Sequence, residues 1–158
     1  NGCIYVDVEV GDTILRIYNV HFQSIQFTHD DHKYFEEKSW DLRAIKKIAV
    51  KLKLAFIKRA EQAEFLSKHI QLTPHPVILC GDFNDTPMSY SYERIFQSRD
   101  FKDAFINKGS GFGSTYVGLI PFLRIDNIFT DSDIHIHDFK VLSEEYSDHY
   151  PVVCNVSF

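Results

Sequence analysis

Polar and apolar residues alternate along IYVDVEV, and the alternation resumes in TILRIYNVHF on the far side of Gly11-Asp12. A period of two broken by a two-residue Gly-Asp turn predicts a β-hairpin whose second strand ends at Asn19-Val20-His21. From Phe35 to about Leu72 the period changes. Leu42, Ile45, Ile48, Ala49, Leu52, Phe56, Ala60, Ala63 and Leu66 recur at three- and four-residue intervals, the spacing of one helical face. Thr73-Pro74 and Pro76 end that helix. Because the stretch exceeds an ordinary globular helix, a break near Trp40 or Lys58 is expected. PVILC then reads as a short buried strand. It is followed by the loop GDFNDTP, a helix over Tyr90 to Gln97, a Gly-rich loop NKGSGFGSTY, and strands at RIDNIF, DIHIHDFKVL and PVVCNVSF. The order of hairpin, helix, strand, helix and three strands predicts an α/β sandwich in which helices cover sheets.

The chain has 158 residues, 44% hydrophobic and 25% charged, which suits one globular domain. Seventeen Lys and Arg face 22 acids, a mildly acidic balance that argues against nucleic-acid binding by bulk charge alone. The charge is unevenly spread. Arg43, Lys46, Lys47, Lys51, Lys53, Lys58 and Arg59 occur with no intervening acid, so that segment carries +7 and the rest of the chain −12. It is either a solvated helical face or a surface for phosphate or an anionic membrane. Cys3, Cys80 and Cys154 lie far apart without CxxC spacing, and the apolar runs around Cys80 and Cys154 predict buried free thiols. No uncharged apolar run reaches about 18 residues and no signal peptide is visible. The opening NGCIYVDVEV lacks Met and already lies in a strand pattern, so the chain is expected to be cut from something longer. Localisation, and membrane contact of the parent protein, stay open.

Chemistry-bearing residues gather at strand ends: His21 after IYNV, Asp82 and Asn84 after VILCG, Asp126 in RIDNIF, and Asp148-His149 before PVVCNV. Strand-end loops are where α/β folds bind ligands, because rigid strands fix short loops. Other readings stand beside this one. GDFND can be a turn capped by its own Asp and Asn. An EF-hand requires Gly where this chain has Pro87. His21 alone can be a half-buried structural histidine. Asp126, between apolar neighbours, needs a partner, and Asp148-His149 can supply one. An imidazole held by a carboxylate through one nitrogen keeps the other for proton transfer. GSGFG is neither a nucleophile elbow nor a Walker loop. His135 and His137 share a strand face without an obvious third metal ligand, and HDDH at 29–32 reads as a solvated loop.

Taken together and in order, NVHFQS, VILCGDFNDTP, STY, LRIDNIF and SDHYPV closely resemble the endonuclease/exonuclease/phosphatase superfamily, the DNase-I-like metal-dependent phosphoesterases. The resemblance spans His21 to Val152. It implies a DNase-I-like α/β sandwich of mostly antiparallel sheets flanked by helices, with residues 1–158 forming a partial domain that lacks the N-terminal motifs. It also implies hydrolysis of a phosphoester with Mg2+ or Mn2+. By the same resemblance His21 assists at the phosphate oxygens or leaving group, while Asp82 and Asn84 orient water and stabilise the transition state. Asp126 orients the catalytic His149, and Asp148 is linked to metal. Tyr116 and Arg124 lie beside matched positions as substrate contacts, and Asp85 caps the loop. The family's Asn and metal-binding Glu lie on strands that would precede the hairpin. The fragment is therefore expected to bind magnesium weakly, to hydrolyse little by itself, and to self-associate through uncovered apolar strands. The segment from His29 to about Phe56 is longer than the minimal family connection. Nucleic acid, inositol phosphate and lipid headgroup remain open as substrates, and the opposing reading is a non-catalytic binding module on the same scaffold.

Overall fold

A computed structural model describes residues 1–28, 31, 41–118, 122–144 and 146–158. The hairpin forms as its alternation predicts: β1 (Gly2–Val10) pairs antiparallel with β2 (Thr13–His21). From β2 the chain passes into α1 (Leu42–Leu72), a continuous helix of 31 residues, and returns as β3 (Val77–Asp82), which lies parallel to β2. The Asp41 carboxylate caps α1 by accepting from the Ala44 amide at 2.6 Å. No break occurs at Lys58, since the i→i−4 ladder is uninterrupted there; Trp40 and the predicted start at Phe35 lie outside the described residues. After α2 (Tyr90–Phe96) come β4 (Phe101–Asp103) and α3 (Ala104–Lys108), then β5 (Asp126–Asp131), β6 (His135–Val141) and β7 (Val152–Ser157).

Five strands make a sheet in the order β1-β2-β3-β5-β4, and β6-β7 make a separate antiparallel pair. Alternation along the central strands divides the core. Val77, Leu79 and Phe129 face Ala63, Leu66 and Ile70 of α1 and Tyr92 and Ile95 of α2. Their neighbours Ile78, Cys80 and Ile128 face the other way, onto Ile136 and Phe139 of β6 and Val152, Cys154 and Val156 of β7. Helices thus cover one face of the sheet and the two-stranded ribbon the other.

Three expectations need correction. The buried stripe of α1 is Ala44, Ile48, Ala55, Arg59, Ala63, Leu66, Ser67 and Ile70, whereas Leu42, Ile45, Ala49 and Phe56 are exposed. The helix is rotated from the face its apolar spacing suggests because a buried arginine, matched to a carboxylate, occupies the stripe. All three cysteines are free, but Cys80 and Cys154 are only partly buried and Cys3 is exposed. Within HDDH, Asp31 is fully buried and paired with Lys51, and Lys47 stands 3.2 Å away. These cations and the Thr28 amide hold its carboxyl well below the usual carboxylate range, the Lys51 hydrogen bond first. His29, Asp30 and His32 lie outside the described residues. Among the described residues no helix is long and apolar enough to cross a membrane.

Candidate active site

Strand register builds the site. His21 is the last residue of β2 and pairs with Asp82, the last of β3, which pairs with Asp126, the first of β5. Three chemistry-bearing residues therefore stand in one row across three neighbouring strands. The row depends on Gly81, whose φ of +136° lies outside the range of L side chains. A Cβ there would sit 2.0 Å from the Val20 carbonyl oxygen of the adjoining strand.

Beyond Asp82 the loop folds back on itself. Asp82 Oδ1 accepts from the Asn84 amide and Oδ2 from Asn84 Nδ2, both at 2.7 Å, and Nδ2 also donates to the Phe22 carbonyl at 3.1 Å. Asn84 holds a left-handed φ of 51°, which Asn adopts more readily than most residues. His21 Nε2 lies 3.6 Å from Asp82 Oδ2. At the other end of the row, His149 Nδ1 donates to Asp126 Oδ2 at 2.8 Å.

Thr115 and Tyr116 bracket that pair. The fully buried Thr115 hydroxyl accepts from the amides of Ile125 and Asp126, and its carbonyl accepts from Tyr150. Tyr116 forms a β-bridge to His149 and sets its ring edge-on to the imidazole at 5.5 Å. One short segment thus fixes both the carboxylate and the histidine.

Electrostatics follow from this crowding. Burial raises the Asp82 pKa; the hydrogen bond from the Asn84 amide opposes that, and the Asp126 charge reinforces it. Burial alone would lower His149, but its hydrogen bond to Asp126 and the charges of Asp126, Asp82 and Asp148 outweigh it, so the net displacement is upward. Among the described residues, Asp82, Asp126 and His149 form the one group of three whose ligand atoms all lie within 4.8 Å of one another.

These residues line a pocket of about 750 Å3 together with Asn84, Tyr116 and Asp148. Ser24, Ile25, Gln26 and Phe27 form one wall, and Leu123 and Ile125 contribute to another. Asp148 is exposed at the pocket rather than part of the three-ligand group. Arg124 is not a pocket residue. Leu123 and Ile125 face the cavity, so alternation turns Arg124 inward, where Nη1 donates to Asp103 Oδ2 at 2.8 Å and the guanidinium lies between the rings of Tyr92 and Phe105. Asp85 does more than cap its loop. Buried, it accepts from Arg59 Nε at 3.0 Å and Ser91 Oγ at 2.7 Å.

Arg59 and Gln62 are the site-supporting residues that motif reading misses. Arg59 Nη1 donates to the Gln23 carbonyl at 2.9 Å, and Gln62 Oε1 accepts from the Gln23 amide at 2.9 Å. Two side chains of α1 thereby pin the chain just past His21, and Arg59 also holds the loop just past Asn84. The available signal was a lone arginine four residues from Ala55 and four from Ala63.

A mixed sheet backed by helices on one face and a β-ribbon on the other, with acids and histidines converging on its strand ends, defines the DNase-I-like α/β sandwich. The chain belongs to the Endonuclease/Exonuclease/phosphatase family, whose sequence model matches residues 25–149. No curated protein matches it significantly. Among solved structures it is similar to a mannosyl-6-phosphatase of Bacteroides thetaiotaomicron, with a TM-score of 0.68 and 19% identity, covering 99% of this chain and 57% of that one. The catalytic domain of human Nocturnin gives a TM-score of 0.57 at 16% identity, covering 99% of this chain and 52% of that one. Staphylococcus aureus beta toxin gives 0.61 at 18% identity, covering 98% and 56%. At these identities the likeness is one of fold. The chain spans a little over half the length of these three structures.

Proposed function

We propose that this site hydrolyses a phosphoester with the help of a divalent cation, Mg2+ or Mn2+, as part of the whole protein. The observation that carries the reading is the row of His21, Asp82 and Asp126 with His149 bonded to its end. A phosphoester is anionic, and the described pocket meets it with Asp82, Asp126 and Asp148 and with no lysine or arginine. Substrate and site repel one another unless a cation stands between them. The donor set fits one: carboxylate oxygens suit Mg2+ and Mn2+, and oxygens of Asp82 and Asp126 lie within 4.8 Å of each other. Asp82 and Asp126 are the residues to hold it, with Asp148 at the rim as a further oxygen donor. When bound, such an ion supplies Lewis acidity at a phosphoryl oxygen.

The protein groups have separable tasks. Asp126 fixes the His149 tautomer with the proton on Nδ1, which reserves Nε2 for moving a proton at the attacking water or the leaving group. Asp82 orients water. Asn84, whose backbone and side-chain donors are spent on Asp82 and the Phe22 carbonyl, holds the Asp82 carboxylate in place. His21 offers a donor to phosphate oxygens as negative charge builds, and the Tyr116 ring walls the pocket beside His149.

The test is turnover of p-nitrophenyl phosphate and bis(p-nitrophenyl) phosphate by the whole protein with Mg2+, Mn2+ or EDTA. His149→Ala is expected to lower kcat by about 10² to 10⁴-fold. Asp126→Asn should do less damage, since the base stays in place. Wild-type turnover by His149→Ala removes His149 from the reaction, and no cation-dependent turnover in any form favours the binding-module reading.

A further inference from the structure

The outer face of α1 is used by neither the core nor the pocket. Leu42, Ile45, Val50, Leu54, Phe56 and Ile57 are between 44% and 77% exposed. Arg43, Lys46, Lys47, Lys53 and Lys58 are exposed among them, and no acid occurs from Leu42 to Ala60. Lys47 and Lys58 reach Asp31 and Glu61, whereas Arg43, Lys46 and Lys53 have no acidic partner among the described residues. At roughly 100° per residue, Ile45, Ala49, Leu42 and Phe56 form one strip, with Lys53 and Lys46 beside it and Ile57, Val50 and Leu54 beyond. A merely solvated helix gains from opposite charges four residues apart, and this one forgoes them.

We infer that this face of α1 docks on an anionic phospholipid membrane. Charge complementarity decides the occupant: Arg43, Lys46 and Lys53 stand exposed on a face without acids and without acidic partners among the described residues, and such a face seeks an anion. A two-fold contact between copies would set cation against cation. Nucleic acid would satisfy the lysines but gives protruding Leu, Ile and Val nothing to bury in. Of the two exposed aromatic rings of α1, Phe56 is already covered on one side by the Arg59 guanidinium at 4.8 Å, and Phe65 lies beyond Ala60, outside the acid-free stretch. A bilayer interface takes both groups at once, phosphates for the cations and the acyl boundary for the aliphatics.

The experiment is co-sedimentation of the chain with vesicles of phosphatidylcholine alone and of phosphatidylcholine mixed with phosphatidylserine, at low and high salt. Binding is expected only to the anionic vesicles and should weaken with salt. The exposed triple substitution Arg43→Gln/Lys46→Gln/Lys53→Gln should reduce the partition coefficient roughly 100-fold. Leu54→Ser/Ile57→Ser should reduce it as well, with far-UV circular dichroism confirming that both variants fold. Equal partition onto the two vesicle types, none onto either, or wild-type binding by the triple variant overturns the inference. So does binding to duplex DNA that the lysine substitutions abolish and Leu54→Ser/Ile57→Ser leaves unchanged, which assigns the face to a polyanion.

Discussion

Removing the Arg59 side chain tests how the site is held together. Arg59 is 1% exposed and Asp85 7%, and their 3.0 Å contact is the buried link between α1 and the loop that carries Asp82 and Asn84. Arg59→Ala leaves the Asp85 carboxylate in the interior with only the Ser91 hydroxyl and the Thr86 amide as partners, and it frees the Gln23 carbonyl. Breaking one partner of a buried pair costs about 3–5 kcal/mol, because the remaining charge is uncompensated. Stacking on the half-exposed Phe56 adds about 0.5–1 kcal/mol. Against a domain stability of about 5–15 kcal/mol, this is a large share. Urea unfolding followed by far-UV circular dichroism reads it directly. The double variant Arg59→Met/Asp85→Asn removes both charges and should recover at least half of the loss, a non-additivity that isolates the pair from simple packing. A loss below about 1 kcal/mol for Arg59→Ala, or additive effects in the cycle, would refute the clamp.

Three further outcomes follow from the same geometry. Gly81→Ala should cost several kcal/mol, on the order of the strain of a forbidden φ plus a backbone clash, and a thermal melt within a degree or two of wild type would contradict the 2.0 Å approach to Val20. His149 should titrate above its ordinary value of 6.5 in EDTA, followed by its ring proton resonance, and Asp126→Asn should bring it down; no change would sever the pair. Since the folded pKa is raised, protonated His149 contributes stability that is fully present below about pH 6.5 and lost as pH rises through the folded value. Ile4, Val6, Val8, Ile14 and Val153 are exposed, so we propose that the chain by itself self-associates through β1; sedimentation giving a monomer at all concentrations with a cooperative melt would exclude it.

How much of this was legible in the sequence depended on how local each cause is. The hairpin could be read because alternation and the Gly11-Asp12 turn are written within twenty residues. The short polar motifs could be read too, yet the row of His21, Asp82 and Asp126 is a product of strand register, which no single segment contains. The rotation of α1 was hidden for a related reason: apolar residues occupy most of its circumference, and Arg59 enters the buried stripe only because Asp85, distant in sequence, meets it there. β4 and α3, of three and five residues, are too short to print a period. Arg124 looked like a substrate contact because it precedes a motif. Its partner Asp103 caps α3 through the Phe105 and Ile106 amides, and neither role leaves a pattern around Arg124 itself.

The same nonlocality explains why the site is costly and why it persists. Asp82 and Asp126 are directly paired across adjacent strands, Asp82 is desolvated, and Gly81 and Asn84 occupy positive φ within four residues. Each feature opposes folding, by like-charge repulsion, by burial of charge or by backbone strain. What offsets them sits one layer behind. Phe83 is wholly buried between the two unfavourable residues, with Phe22 and Phe129 packed on its ring. Asn84 bridges Asp82 to the end of β2, and Arg59 with Gln62 anchors the chain on either side. Phe83 and Asp85 therefore carry the loop into the interior, while Asp82 and Asn84 between and beside them are left to face the pocket. Alternation within GDFND is thus the division between holding the loop and using it.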